Sequence, residues 1–109
     1  MAYDERLAER VRRALKRRRG VAERKMFGGI CFLINGNMAC GVGDGELMLR
    51  LGNAGAAEAL RHPHTREMDF TGKPLKSMVY VKREGLRSKV ALEKWVKLAA
   101  DFARTLPPK

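Results

Sequence analysis

The two cysteines of the chain, Cys31 and Cys40, are the residues whose spacing most directly suggests chemistry. Asn35-Gly36 lies between them, and this dipeptide favours a two-residue hairpin turn, in which both central residues adopt positive φ. Such a turn places Cys31 opposite Cys40, with Cα atoms about 4.5 Å apart and within disulfide range. Two outcomes are open: a redox-switchable cross-strand bond, or two reduced, buried thiols, which a reducing cytoplasm favours.

Other residue types that support catalysis or metal binding do not form a recognisable pattern. His62 and His64 flank Pro63 and do not share a helical face, so they indicate a loop that ends a helix. Structural zinc needs about four ligands, and two cysteines fall short of that number. The carboxylates are scattered, without the pairing that acid–base catalysis would use. We therefore expect no catalytic residue, no metal and no cofactor, and a small enzyme is the remote alternative.

Positive charge is the dominant bulk property of the chain. Its net charge of +11 is uneven, with +6 over residues 1–25, −2 over residues 26–72 and +7 over residues 73–109. A basic helix face can contact phosphates, mainly by charge and with little sequence preference. The alternative is a basic surface that serves only solubility. The predicted nucleic-acid contacts on and after the first helix are Arg10, Arg12, Arg13, Lys16, Arg17 and Arg19.

Three helices must position these residues. Asp4 is the predicted N-cap of the first helix, which runs to about Arg18, and its apolar positions recur with helical spacing. Asn53 is predicted to cap a short alanine-rich helix from residue 54 to residue 61. Ser88 is predicted to cap the last helix, whose apolar face includes Trp95. The other apolar positions of that face are Leu92, Val96, Ala99, Phe102, Ala103 and Leu106.

The segments between the helices have the composition of strands. An extended segment over residues 21–27 precedes Gly28-Gly29, where we expect a bend, and Ile30–Ile34 then forms a hairpin with Met38–Val42. A turn at Asp44-Gly45 leads into residues 46–51, whose leucines alternate. Residues 66–70 and 77–82 form two later strands, separated by a turn at residues 71–74. The predicted fold class is α+β, an antiparallel sheet with helices packed on it, in the order α-β(3-4)-α-β(2)-α and as one domain over residues 1–109.

The strand Ile30–Ile34 is apolar on both of its faces, so both faces must be covered. Ile30, Phe32 and Ile34 are therefore predicted contacts of a homodimer, together with Met48, which lies on the outward face of its strand. This apolar run is far shorter than the roughly 20 residues of a membrane span. With no secretory signal evident at the N-terminus, we expect a cytoplasmic protein without membrane association.

Several motifs together resemble one known family. Met26-Phe27-Gly28-Gly29, followed by a strand and a polar turn, is similar to the N-terminal domain of the TfoX family of competence regulators. The similarity continues through residues 68–74, Val79-Tyr80-Val81 and the helix around Trp95, and so covers nearly the whole chain. It implies a non-enzymatic regulatory or adaptor module that works through a protein partner in transcription and can also associate with DNA. The alternative is a sequence-nonspecific nucleic-acid-binding protein that uses its basic helix faces.

Overall fold

One antiparallel sheet of six strands, in the order β1-β2-β3-β4-β6-β5, forms the centre of the computed structural model, which describes residues 3–26, 28–70 and 73–109. The helices are α1 (Glu5–Ala14), α2 (Gly52–Ala59) and α3 (Lys89–Arg104), and a 3₁₀ turn (Arg83–Leu86) precedes α3. The strands are β1 (Val21–Met26), β2 (Gly29–Ile34), β3 (Asn37–Val42), β4 (Leu47–Arg50), β5 (Thr65–Phe70) and β6 (Lys73–Val81). The predicted α+β class and element order are confirmed.

Side-chain caps begin two of the helices as predicted. The Asp4 carboxylate accepts a hydrogen bond from the Leu7 N–H at 3.1 Å, and the Ser88 hydroxyl accepts one from the Ala91 N–H at 3.0 Å. The predicted cap at Asn53 is wrong, because α2 begins at Gly52 and its N-cap position is Leu51, which directly follows β4. No side chain caps the first turn of α2.

The first helix is shorter than predicted and ends at Ala14 rather than near Arg18. The N–H of Lys16 bonds to the carbonyl of Arg13, three residues back, so the last turn tightens and the helix stops. Gly20 follows with φ of +76°, and its carbonyl accepts a hydrogen bond from Asn35 in the first hairpin. Lys16, Arg17 and Arg19 therefore lie on a connecting turn instead of a helix face.

The hairpin between β2 and β3 has the predicted two-residue turn. Asn35 and Gly36 have φ of 54° and 84°, the positive values that a turn of this kind requires. Ile34 pairs with Asn37 beside the turn. The tail of the chain lies against this hairpin, because the N–H of Lys109 donates to the carbonyl of Asn35 at 2.8 Å.

A β-bulge changes the register two residues further along. Leu33 pairs with Met38, but the next residue, Phe32, pairs with Cys40, so Ala39 is an extra residue in β3. The bulge shifts every later pair in the hairpin by one position. The strand pairing implied by the turn alone holds only between the turn and the bulge.

The two cysteines consequently do not face each other. Cys31 pairs with Gly41, and Cys40 pairs with Phe32. Cys40 lies in the core on the helix side of the sheet, whereas Cys31 packs on the opposite face, and both thiols are free. The predicted cross-strand cysteine pair is therefore wrong, since a one-residue shift turns a side chain to the other face.

The main core lies between the helices and one face of the sheet. Helix α3 crosses β3, β4 and β2, α2 packs on β6, and α1 packs on α3. Four of the core positions predicted for the last helix are buried, namely Leu92, Val96, Ala99 and Ala103. Trp95 and Phe102 are half-buried in α3, and Leu106, which is also half-buried, follows the end of the helix. The largest buried side chains on this face of the sheet are Phe32, Ile34, Val42, Leu47, Leu49, Val79 and Val81.

The second face of the sheet carries a cluster of methionines. Met48, Met68 and Met78 are buried there around Cys31. Met26, Met38 and Tyr80 pack against the cluster and are partly buried. Met48 does lie opposite the leucines of β4, as the alternation indicated, but its neighbours leave it only 8% exposed. Flexible thioether side chains suit a face that none of the described helices covers, because they adapt their shape to irregular gaps.

The strand β6 is longer than predicted. It begins at Lys73, which pairs with Phe70, and Pro74 pairs with Asp69. Residues 73 and 74 therefore belong to the strand rather than to the predicted turn. Thr71 and Gly72, which complete that turn, lie outside the described residues, as does Phe27 of the Met-Phe-Gly-Gly motif.

Candidate functional site

The structure divides the six predicted nucleic-acid contacts into cations with internal partners and cations that face solvent. Arg10 belongs to the first group. Its Nη2 atom donates a hydrogen bond to the carbonyl of Leu86, 2.6 Å away in the 3₁₀ turn. Arg10 thereby joins α1 to the segment that precedes α3, which is a structural role.

Arg12 also has internal partners. Its guanidinium donates to both carboxylate oxygens of Glu23 on β1, at 2.5 and 2.7 Å, and to Glu9 at 2.6 Å. These hydrogen bonds, the one with Glu23 foremost, raise the pKa of Arg12, and the same contact lowers the pKa of Glu23. Two carboxylates surround this cation, so little of its charge is available for a phosphate.

The other four predicted residues form an exposed basic surface, defined as Arg13, Lys16, Arg17 and Arg19. The side chain of Arg13 is 78% exposed, and its nearest carboxylate, Glu9, lies 3.7 Å away. Within the described part of the chain, no carboxylate lies within 4.0 Å of the charged groups of the other three. Long exposed cations without carboxylate partners are suited to phosphate oxygens.

An ion pair fixes the turn that carries three of these residues. Arg18, which lies between Arg17 and Arg19, contacts Asp101 of α3 at 3.1 Å, and its side chain is only 21% exposed. Arg18 and Lys97 both lower the pKa of Asp101, the hydrogen bond from Lys97 contributing most. The inward position of Arg18 leaves its neighbours in the turn directed to solvent.

Helix α3 adds a cation that sequence reasoning missed. Arg13 of α1 and Lys89 of α3 line one groove of about 310 Å³ between the two helices. Glu93 lies on the same groove, 4.0 Å from the Lys89 ammonium group. The only sequence signal was the positive charge of residues 73–109, because nothing in the sequence indicated that α1 and α3 pack together.

The predicted dimer contacts on β2 lie inside the monomer. Ile30, Phe32 and Ile34 are at most 5% exposed, because they belong to the core beneath the helices. Met48 packs within the methionine cluster on the other face. The prediction that these four side chains form an intermolecular interface is therefore corrected: they fill the cores of their own chain.

Both cysteine side chains are protected from solvent. Burial raises the pKa of Cys31 and raises the pKa of Cys40 to about 12. Thiolate is the reactive form of cysteine, so both thiols are held in the unreactive form at neutral pH. Together with their positions on opposite faces, this removes the geometric basis for a redox switch between them.

The remaining candidates for chemistry were the two histidines. The ring of His62 meets Trp95 edge-on, with centroids 5.7 Å apart, and His64 has φ of 68° in the turn after α2. Over residues 3–26, 28–70 and 73–109, no three histidine, cysteine, aspartate or glutamate side chains come together as a metal site would require. The helices of the described chain also lack the length and hydropathy that a membrane crossing needs.

Comparison with family models matches residues 13–103 to the TfoX N-terminal domain. The match contains the exposed basic surface, the first hairpin with its bulge, and most of α3. No curated protein and no solved structure gives a significant match to the chain.

Proposed function

Because the chain belongs to the TfoX N-terminal domain family, we propose that it is a non-enzymatic module of transcription regulation, of the kind found in competence regulators. Its place of action is the cytoplasm, where such a module meets both the chromosome and protein partners. The family supports this general role. The exposed surfaces of the domain support two candidate contacts.

The first contact is with nucleic acid through the basic surface. The observation that carries this proposal is the groove between α1 and α3, where Arg13 and Lys89 both face solvent beside the turn that carries Lys16, Arg17 and Arg19. Phosphate contacts fix position but carry no sequence information. Binding is therefore expected to be strong at low salt, to weaken steeply as salt rises, and to differ little between sequences.

Fluorescence anisotropy with a random-sequence DNA duplex at several salt concentrations tests this contact. The variant Arg13→Gln/Lys16→Gln/Arg17→Gln removes three charges from the basic surface. The control Arg61→Gln/Lys76→Gln/Lys82→Gln removes the same number of exposed charges from the turn after α2, from β6 and from the segment after β6. The first variant should lower the slope of log K against log salt by roughly two to three, because each lost phosphate contact contributes about 0.9.

The control variant should keep the slope of the unmodified protein. Equal losses in both variants would show that only net charge matters, and the basic surface would lose its assignment. A protein that does not bind the duplex even at low salt would contradict nucleic-acid association altogether.

A second candidate contact is with protein. Large apolar side chains are exposed at Leu60, Val90 and Leu98, by 37%, 77% and 45% respectively. Val90 and Leu98 are eight residues apart on α3 and therefore share one helix face, with Lys94 between them. Exposed apolar side chains that share a helix face are suited to a protein partner or to a second copy in a homodimer.

Sedimentation velocity over a wide concentration range tests the homodimer, with Val90→Glu/Leu98→Glu as the variant. A dimer that dissociates in this variant would support contact through α3. A strict monomer at high concentration would exclude the homodimer, and a dimer unaffected by the variant would exclude this face.

A further inference from the structure

A second concave surface lies between α2, α3 and the 3₁₀ turn. This open recess has a volume of about 470 Å³, within the range of about 300–1,000 Å³ that small-molecule sites occupy. It shares no lining residue with the groove between α1 and α3. Nucleic-acid binding at the basic surface and ligand binding here therefore involve different residues, and either can occur without the other.

Small residues on three elements create this cavity. Gly55 and Ala59 of α2, Gly85 of the 3₁₀ turn and Ala91 of α3 line it, beside the much larger ring of Trp95. A side chain at Gly85 would place its Cβ 3.0 Å from the Cβ of His64, closer than ordinary contact allows. The close approach of these elements thus depends on the absence of side chains, and it leaves an apolar recess beside the indole.

The turn after α2 places two imidazoles at the edge of the recess. His64 has φ of 68°, a conformation that is costly for a residue with a Cβ, and its carbonyl accepts a hydrogen bond from Lys82 at 2.7 Å. His62 is fixed against the indole of Trp95 by an edge-on contact. Residues held in costly backbone conformations concentrate at ligand sites, where the surrounding structure maintains them.

Two carboxylates, of Glu58 and Glu84, line the cavity together with one cation, Lys94. Glu58 forms an ion pair with Arg61 at 3.3 Å, whereas no cation of the described residues lies within 4.0 Å of the Glu84 carboxylate. An apolar recess beside an indole favours a flat ring, and the Glu84 carboxylate at its edge favours a positive group on that ring. We propose that this cavity binds a small aromatic molecule that carries a protonated amine.

The chain has one tryptophan, and Trp95 lines the cavity, so its indole N–H gives a direct signal of occupancy. Tryptamine and indole-3-acetate share a ring system and differ in the sign of their charge. Titration of ¹⁵N-labelled protein with tryptamine should shift the Trp95 indole signal and the amide signals of Gly55 and Gly85 in a saturable way. Indole-3-acetate should bind about three- to fivefold more weakly, the effect of one solvent-exposed charge pair.

Two variants with matched controls locate the binding. Ala91→Phe fills the recess and should abolish the tryptamine shifts, whereas Ala57→Phe, on the exposed side of α2, should leave them unchanged. Glu84→Gln should remove most of the preference for tryptamine, and Glu93→Gln, which lies outside this cavity, should retain it. The dispersion of the same spectra shows whether each variant is folded, and Glu84→Gln tests the proposal even if Ala91→Phe fails to fold.

Three results would overturn the proposal. The first is no saturable shift of the Trp95 signal with tryptamine at millimolar concentration. The second is equal or tighter binding of indole-3-acetate, which would mean that the overall positive charge rather than the cavity selects the ligand. The third is tryptamine binding that a folded Ala91→Phe variant retains.

Discussion

Arg12 and Glu23 form a two-point ion pair that ties α1 to the edge strand β1, with N–O distances of 2.5 and 2.7 Å. Among the cations of residues 1–25, the pair distinguishes one that is bound within the fold from those that can contact a phosphate. Arg12 is half-exposed and chemically suited to phosphate, but its hydrogen bonds already go to Glu23 and Glu9. Lys16, Arg17 and Arg19 of the basic surface have no carboxylate partner among the described residues, and variants can measure this difference.

Removing the Glu23 carboxylate should release Arg12 toward DNA. In Glu23→Gln we expect duplex binding to tighten and the salt slope to increase by up to about one phosphate contact. Glu67→Gln, an exposed position on β5, makes the same charge change and should alter the slope little. Anisotropy at several salt concentrations measures both variants, and an identical slope in the two would contradict the blocking role of Glu23.

The effect of Glu23→Gln on the free energy of unfolding should also depend on pH. Arg12 lowers the pKa of Glu23, so the pair stabilises the fold above the unfolded pKa of about 4.5 and loses this effect as pH falls through the folded pKa. Because the pair is exposed, Glu23→Gln should cost about 0.5–1 kcal/mol at neutral pH. Denaturant unfolding from pH 7 to pH 3 should show the difference between the two proteins shrinking with acidity; a constant difference would mean that the charge is not responsible.

Arg10 and Arg13 are three residues apart on α1, but substitution of Arg10 should mainly affect stability and substitution of Arg13 should mainly affect DNA binding. Arg10→Ala leaves the Leu86 carbonyl without its partner and should lower the free energy of unfolding by about 1–2 kcal/mol. Arg13→Ala changes an exposed side chain and should alter stability by less than about 0.5 kcal/mol while weakening DNA binding. Urea unfolding and anisotropy on both variants test this, and similar stabilities would remove the structural role of Arg10.

The cysteines should behave as separate buried thiols. Treatment of the native protein with a mild oxidant should cause no loss of 2 Da, because Cys31 and Cys40 lie on opposite faces of the sheet. Their labelling by a thiol reagent should follow the rate at which the protein opens. Mass spectrometry measures both, and a 2 Da loss without unfolding would contradict the bulge in β3.

Cys40 should also make stability depend on alkaline pH. Burial raises its folded pKa to about 12, above the ordinary thiol value of 9.0. Between these values the unfolded thiol loses its proton and the folded one keeps it, so the free energy of unfolding falls with rising pH, by at most about 1.4 kcal/mol per unit. Cys40→Ala should reduce that slope between pH 9 and pH 11, and an unchanged slope would show that Cys40 ionises as readily when folded.

The features that sequence reasoning predicted correctly are local. A cap at Asp4 or Ser88 depends on residues three positions away, and the Asn35-Gly36 turn depends on two residues with positive φ. The leucines of β4 alternate because a strand has a period of two. Each of these features depends on residues only a few positions apart, so the sequence is sufficient to predict it.

The features that the sequence did not reveal depend on distant parts of the chain. Ala39 forms a bulge inside an apolar run that contains no glycine or proline signal at that position, and the bulge places Cys40 on the face of the sheet opposite to Cys31. The neutralised Arg12 and the groove shared by Arg13 and Lys89 both follow from how α1 packs on β1 and α3. Helical periodicity gives the face of a residue but not the element that will cover it.

The C-terminal tail offers a last test of such a distant contact. Asn37, at the start of β3, is 2% exposed, and its side-chain Nδ2 donates a hydrogen bond to the carbonyl of Pro107 at 2.9 Å. Asn37→Ala should cost about 1–2 kcal/mol, because the contact is lost and the carbonyl keeps no protein partner. Asn53→Ala, an exposed position on α2, should cost nothing measurable and serves as the control.

A double-mutant cycle separates this hydrogen bond from other effects of Asn37. In a chain shortened to residue 106, the carbonyl of Pro107 is absent, so Asn37→Ala should cost less there than in the full chain, by about 1 kcal/mol. Urea unfolding of the four proteins gives the coupling energy directly. If the substitution lowers the free energy of unfolding equally in both chains, Asn37 stabilises the hairpin locally, and its hydrogen bond to the tail contributes nothing to stability.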